Sequence, residues 1–113
     1  MPGPRRTLGE YLSDRCEQFA SLGGVLRDVT VHEFAGDDAT IHAVVTFGEE
    51  DERMLTAFEH IRVVDGRPHR IKYGYRCFHR GSFLFGYDRD PVRHPQMPHH
   101  KHVAGRDDRL PWD

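Results

Sequence analysis

Two periodicities divide the chain. Residues 7–22, TLGEYLSDRCEQFASL, return apolar side chains at helical spacing, with Leu8, Tyr11, Leu12, Cys16, Phe19, Ala20 and Leu22 on one stripe. Thr7 followed three positions later by Glu10 has the form of a capping box, and Gly23-Gly24 supplies a stop. One amphipathic helix over 7–22 is predicted, and the simplest use of its stripe is to cover one face of a sheet.

From Val25 the period becomes two. VLRDVTVHEF leads through GDD into TIHAVVTF, which sets Ile41, Ala43, Val45 and Phe47 on one face, and GEEDE marks the next turn. RMLTAFEHIRVV runs to DGRP, where Asp65-Gly66 has turn chemistry and Pro68 discourages helix. HRIKYGYRCF puts Ile71, Tyr73, Tyr75 and Cys77 on one face and Arg70, Lys72 and Arg76 on the other. After HRG, SFLFGYD alternates Phe83, Phe85 and Tyr87 against Leu84 and Gly86. Strands joined in sequence by short turns predict an antiparallel meander over 25–88. The expected fold is therefore α+β: an N-terminal helix packed on a meander sheet of about five strands, in a single domain over 1–113.

At Arg89 the regular pattern stops. The remainder, RDPVRHPQMPHHKHVAGRDDRLPWD, contains Pro91, Pro95, Pro98 and Pro111, too many for a helix or an inner strand. Residues 89–113 are expected to be an irregular, His/Pro-rich segment, either disordered or laid over the scaffold as a functional loop. Val92, Met97, Val103, Leu110 and Trp112 are its apolar anchors.

Composition narrows the setting. An apolar share of 37% against 30% charged residues fits a soluble globular protein. No run is long and apolar enough to span a bilayer and no charged start leads into an apolar export region, so the expected location is the cytoplasm, with no membrane partner. Cys16 and Cys77 have neither CxxC spacing nor further cysteines to complete a zinc site; two small buried thiols are the plain reading, with a disulfide left open. The net charge of -2 conceals an asymmetry: residues 1–60 hold 5 Arg/Lys against 12 Asp/Glu, whereas 61–113 hold 11 against 6, along with six of the nine histidines. A one-sided positive field can hold a polyanion. The plainer alternative is two solvated faces that attract one another.

The densest chemistry is HPQMPHHKH, residues 94–102. Neutral imidazole is a common transition-metal ligand, and His94, His99, His100 and His102 in an extended loop can reach one ion. Against this, the cluster has no obvious carboxylate or cysteine partner, and Lys101 in its middle repels a cation. No metal and no cofactor is assigned; a metal-dependent nuclease stays as an alternative. The second reading is acid/base chemistry on a phosphodiester. RNA cleaves itself when a base removes the 2'-OH proton, a cation steadies the phosphorane and an acid protonates the departing 5'-oxygen. Histidines flanking a lysine contain those parts without a metal. The third reading is a decorated surface tail.

The stretch SFLFGYDRDPVRHPQMPHHKHV resembles the C-terminal signature of the TumE family of small bacterial and archaeal toxins. There a strand ending in Phe-Arg-Tyr-Asp-Asn leads through Pro-His-His-Pro to Pro-His-His-Lys-His. Phe85, Tyr87, Asp88, Pro91, His94, Pro95, Pro98, His99, His100, Lys101 and His102 fall on that pattern. The dense match covers about 20 residues, and the YGYR strand is similar more loosely. Three positions depart from it: Gly86 stands where the family usually has arginine, Arg89 where it often has asparagine, and Val92-Arg93-His94 replaces the paired histidine. If the missing arginine holds phosphate, Lys72, Arg76 or Arg93 must take its place; otherwise this copy is weakened or inactive.

The resemblance implies a type II toxin–antitoxin module, with a cognate antitoxin that commonly carries a helix-turn-helix DNA-binding domain. By analogy with other small toxins it points to a metal-independent endoribonuclease acting on an RNA substrate. In that reading His99 or His100 and His102 act as base and acid, Lys101 stabilises the phosphorane, and Asp88 orients a histidine or fixes the loop. Lys72, Arg76, Arg93 and His94 hold the nucleic acid, and Tyr75, with Tyr73, stacks bases. For Tyr73 packing in the core is the stronger expectation, and for Lys72 and Arg76 the plain alternative is a solvated strand face. The rival class is a binding module without catalysis whose histidine loop docks a protein or nucleic acid. The acidic first half can mediate self-association, so a homodimer is a further expectation.

Overall fold

The computed structural model describes residues 6–90, 99–103 and 110–111. One helix, α1 (Leu8–Ala20), precedes seven strands: β1 (Val25–Ala35), β2 (Asp38–Phe47), β3 (Arg53–Val64), β4 (Arg67–His79), β5 (Ser82–Arg89), β6 (His99–Val103) and β7 (Leu110–Pro111). They form one sheet in sequence order, and every neighbouring pair is antiparallel. The expected helix and five-strand meander are thus present, and the sheet continues past them.

Local chemistry fixes the ends of the elements. The Thr7 hydroxyl accepts from the Glu10 amide at 3.1 Å while the Glu10 carboxylate accepts from the Thr7 amide at 3.1 Å, satisfying two of the amides that a helix leaves unpaired at its start. Gly24 turns the chain back onto the sheet, where a Cβ would stand 2.4 Å from the Thr46 carbonyl oxygen. The β3–β4 hairpin turns on Asp65 (φ 53°) and Gly66 (φ 73°), and the β4–β5 hairpin on Arg80 (φ 49°) and Gly81 (φ 82°). Paired left-handed residues match the right-handed twist of the flanking strands, so both turns are the tight kind that fixes register.

Leu8, Tyr11, Leu12 and Phe19 of α1 bury against Ala39, Ile41, Ala43 and Val45 of β2 and Ala57 and Ile61 of β3. Ala20 and Leu22, expected in the helical stripe, are exposed, Ala20 at the last position of the helix and Leu22 beyond it. Cys16 packs at the edge of this core; it and Cys77 are free and half-buried.

One side chain breaks the apolar pattern. Glu59, on the core face of β3, is fully buried, and Arg15 of α1 grips it through both oxygens, with Nε donating at 3.0 Å to one and the guanidinium donating to the other. The Tyr75 hydroxyl of β4 also donates to Glu59, and Arg70 donates to the Tyr75 oxygen at 2.6 Å. Burial alone would lower the Arg15 pKa, but the bond and charge of Glu59 outweigh it and raise it. Burial first, and the Glu59 charge second, push the Tyr75 phenol well above its ordinary value.

Strict alternation fails at two bulges in β1, after Leu26 and after Glu33, and at one each in β4 and β5. Ile61 pairs with Arg70 and His60 with Lys72, so Ile71 is the extra residue and Arg70 joins Tyr73 and Tyr75 on the helix face instead of Lys72 and Arg76 opposite. Arg89 donates to the Ile71 carbonyl and holds that bulge. In β5, Phe78 pairs with Phe83 and Cys77 with Phe85, which leaves Leu84 extra and parts Phe83 from Phe85 and Tyr87.

The C-terminal segment is more regular than its prolines suggest. His99–Val103 pairs with β5 as β6, and Leu110–Pro111 follows as β7. The five residues of β6 lie after Pro98 and contain no proline, and Pro111 occupies a border strand, where a missing donor is tolerated. No helix among the described residues is long and apolar enough to cross a membrane.

Two outcomes follow from the Glu59 cluster. Arg15→Ala leaves a buried carboxylate without its main counter-charge and is expected to lower stability by about 3 kcal/mol, whereas Arg15→Met combined with Glu59→Leu recovers most of the loss; urea midpoints read both. Burial also raises the phenols of Tyr11 and Tyr73. A phenol raised in the fold contributes stability that is complete below the unfolded value of about 10 and is lost as pH climbs above it. Ultraviolet titration should therefore show Tyr11, Tyr73 and Tyr75 still protonated at pH values where free tyrosine ionises, until alkaline unfolding releases them.

Candidate active site

Away from α1, the meander lays a second surface. Because α1 is the only α-helix among the described residues, the opposite face of the sheet has no helical layer. On that face β4 presents Lys72, Gly74 and Arg76 at alternate positions, and β5 answers with Asp88 opposite Gly74 and Gly86 opposite Arg76. Asp88 and Asp90 are both more than nine-tenths buried. Arg76 donates to Asp88 at 3.2 Å, and Lys72 lies 3.6 Å from Asp90. Two ion pairs thus stand on either side of a residue without a side chain.

Gly74 is the floor of this slot. A Cβ there would stand 2.9 Å from Asp88 Oδ1, so glycine is what lets the carboxylate lie flat across β4. Gly86 is closed differently: its Cβ would meet the Tyr75 carbonyl oxygen at 2.7 Å and Arg76 Cγ at 3.3 Å. The Arg76 stem therefore runs over the position where the resemblance expects an arginine, and carries its guanidinium to Asp88.

The histidine strand completes the row. In the β5–β6 ladder Asp88 pairs with His100, Gly86 with His102, Tyr87 with Lys101 and Arg89 with His99. Positions 100 and 102 hence share the pleat of Asp88 and Gly86, and Lys101 belongs to the other one. There the Lys101 ammonium sits 5.2 Å from the Phe85 ring centre and 5.3 Å from that of Tyr87, a cation–π arrangement. Only backbone register is described for His99, His100 and His102; Arg93 and His94 lie outside the described residues. Among the described residues no three His, Cys, Asp or Glu side chains converge as metal ligands.

The expected site residues accordingly divide between two faces. Lys72, Arg76, Asp88 and positions 100 and 102 come together on the one away from α1. Tyr75 is on the helix face, bound to Glu59 and stacked on Tyr73 with ring centres 5.1 Å apart, and so does not share a surface with Lys72 and Arg76. Tyr73 is buried, as its packing role requires. Gly74 and Asp90 were not singled out from sequence. The available signal was two glycines, 74 and 86, inside strands whose interiors normally exclude them, which marks a close approach.

The two glycines are expected to respond differently to alanine. At Gly86 the new methyl meets backbone and must part β4 from β5, whereas at Gly74 it meets a carboxylate that can turn away. Gly86→Ala should therefore lower the urea midpoint more than Gly74→Ala, and an equal loss would contradict the packing described.

A protein-family model described as Toxin TumE matches residues 15–111. A search of the curated proteins finds no match, nor does one of the solved structures. The family match runs from the middle of α1 through every strand to β7, and takes in Glu59, the glycine-floored slot and the histidine strand; the chain belongs to the TumE family of toxins.

Proposed function

We propose that the protein is the toxin of a type II toxin–antitoxin pair and acts as a metal-independent endoribonuclease, with the slot over Gly74 as its reaction centre. Membership in a toxin family implies an antitoxin partner in general. We assign that partner a helix-turn-helix DNA-binding domain and an acidic segment that covers the basic second half of the chain. The observation that carries the enzymatic reading is the register of β6, in which His100 pairs with an Asp88 already bonded to Arg76.

The chemistry then needs no external reagent. One histidine of the pair His100 and His102 removes the 2'-OH proton, the 2'-oxygen forms a bond to phosphorus, and the bond from phosphorus to the 5'-oxygen breaks as the second histidine protonates it. The products are a 2',3'-cyclic phosphate and a 5'-hydroxyl. Asp88 orients the His100 imidazole, as a buried carboxylate commonly does. Charge on the phosphorane falls to Arg76, the cation on the same face, with Lys72 beside it; this also supplies the arginine that Gly86 does not. Lys101, one pleat away over Phe85 and Tyr87, and His99 beside it serve the placement of β6 and of flanking RNA. Arg93 and His94 are proposed as further phosphate contacts.

Cleavage of labelled single-stranded RNA in the presence of EDTA separates these roles. Arg76→Ala is expected to lower kcat by about 100-fold, the usual cost of removing a preorganised charge stabiliser, while Lys101→Ala costs less than about tenfold. The pH profile of kcat/KM should be bell-shaped, one limb for each histidine. A reversed order of the two variants would return the phosphorane to Lys101, and activity abolished by chelator would favour a metal-dependent nuclease.

A further inference from the structure

The row that contains Asp88 does not end at Gly74. In the ladders between β1 and β6, Thr30 pairs with His42, His42 with Phe58, Phe58 with Gly74, Gly74 with Asp88 and Asp88 with His100, so six residues form one straight line across the face away from α1. Phe58 therefore stands at the opposite end of the Gly74 slot from Asp88. It is half-buried at its base, with its ring centre 4.8 Å from that of His42 and 5.9 Å from the Lys72 ammonium. A second ring pair adjoins it, Phe34 and His60, with centres 6.4 Å apart; Phe34 is 68% exposed at the end of β1.

We propose that Phe58, backed by His42, is a base-stacking platform for single-stranded RNA, holding the base of a nucleotide whose phosphate lies beside the Gly74 slot, toward Lys72 and Arg76. This rests on the ribonuclease reading and adds to it the substrate class and the residue that selects it. Phe58 to position 100 spans three strand spacings, roughly 14 Å, a distance bridged by a nucleotide and its neighbour but not by a lone phosphate. Gly74 has no side chain to separate the ring from the Asp88 carboxylate, which lies across its backbone. A duplex cannot lay a base on that ring without unpairing it, so the geometry favours single strands.

Charge argues for RNA bases over an acidic protein segment. Three cations of this face already have acidic partners: Lys72 has Asp90, Arg76 has Asp88 and Arg62 has Asp38. Beside these pairs the face offers ring surface, and every base has a π-face to meet it, whereas a glutamate-rich peptide has none.

The test is binding of an uncleavable 2'-O-methyl oligoadenosine, read by fluorescence anisotropy, to wild type, Phe58→Leu and His42→Ala, with circular dichroism as a check that each variant is folded. Loss of one stacked base corresponds to a weakening of about tenfold or more for Phe58→Leu, with a smaller loss for His42→Ala. An oligonucleotide with an abasic position should bind more weakly to wild type, yet lose little further affinity on Phe58→Leu. In cleavage assays the variant should raise KM and leave kcat within about twofold. Affinity unchanged by Phe58→Leu overturns the platform even if RNA is cleaved, and so does a Phe58-dependent affinity for a polyglutamate peptide with none for the oligonucleotide. Phe58-dependent binding without cleavage supports the platform and removes only the ribonuclease reading.

Discussion

A buried carboxylate organises this fold. Glu59 sits at the centre of the sheet's inner face, where an apolar residue would be the ordinary choice, and its oxygens are taken by Arg15 from the helix and Tyr75 from β4. A charge removed from water this completely is tolerated only when such partners surround it, and each partner comes from a different element. The cluster thereby fixes where α1 lies on the sheet and how β4 is registered against β3. It also commits Tyr75 and Arg70 to the helix face, while β4 turns Lys72, Gly74 and Arg76 to the other side.

The functional surface is the complement of that commitment. With the polar network and the core both under α1, the outer face is free to carry paired charges, glycines and rings. The bulge at Ile71 is the hinge of the division, since one extra residue moves Arg70 inward while leaving Lys72 outward. The proposed reaction centre inherits its geometry from the same register. Asp88 meets Gly74 on one side and His100 on the other because every connection in the meander is antiparallel and consecutive.

Much of the architecture was legible in residue order. The capping box, the apolar stripe of α1, the alternation of Ile41, Ala43 and Val45 and the Asp65-Gly66 turn all express local chemistry, and local chemistry is what a sequence displays. The bulges were not legible, because an inserted residue leaves composition and turn signals intact and changes only parity; hence Arg70 and Phe83 change faces relative to simple alternation. Strand β6 was hidden for another reason. His-His-Lys-His-Val has no apolar alternation, and its pairing is dictated by the open edge of β5, a tertiary cause. Of the candidate site, Lys72, Arg76, Asp88 and the histidines could be named from their chemistry, and alternation already set Tyr75 opposite Lys72 and Arg76, but only register revealed that Lys101 sits on the other face. Phe58 lacked any chemical mark until the ladders aligned it with Gly74, whose place inside a strand was the one signal.

The central claim, that the row joining Gly74, Asp88 and His100 is a phosphodiester-cleaving centre built from side chains alone, is tested most directly by the ends of its products. Wild type and His100→Ala are incubated with labelled single-stranded RNA in EDTA, and the termini are identified. The account predicts 2',3'-cyclic phosphate and 5'-hydroxyl ends from wild type and a loss of cleavage in the folded variant. Products bearing 5'-phosphate, or undiminished cleavage by His100→Ala, would contradict it.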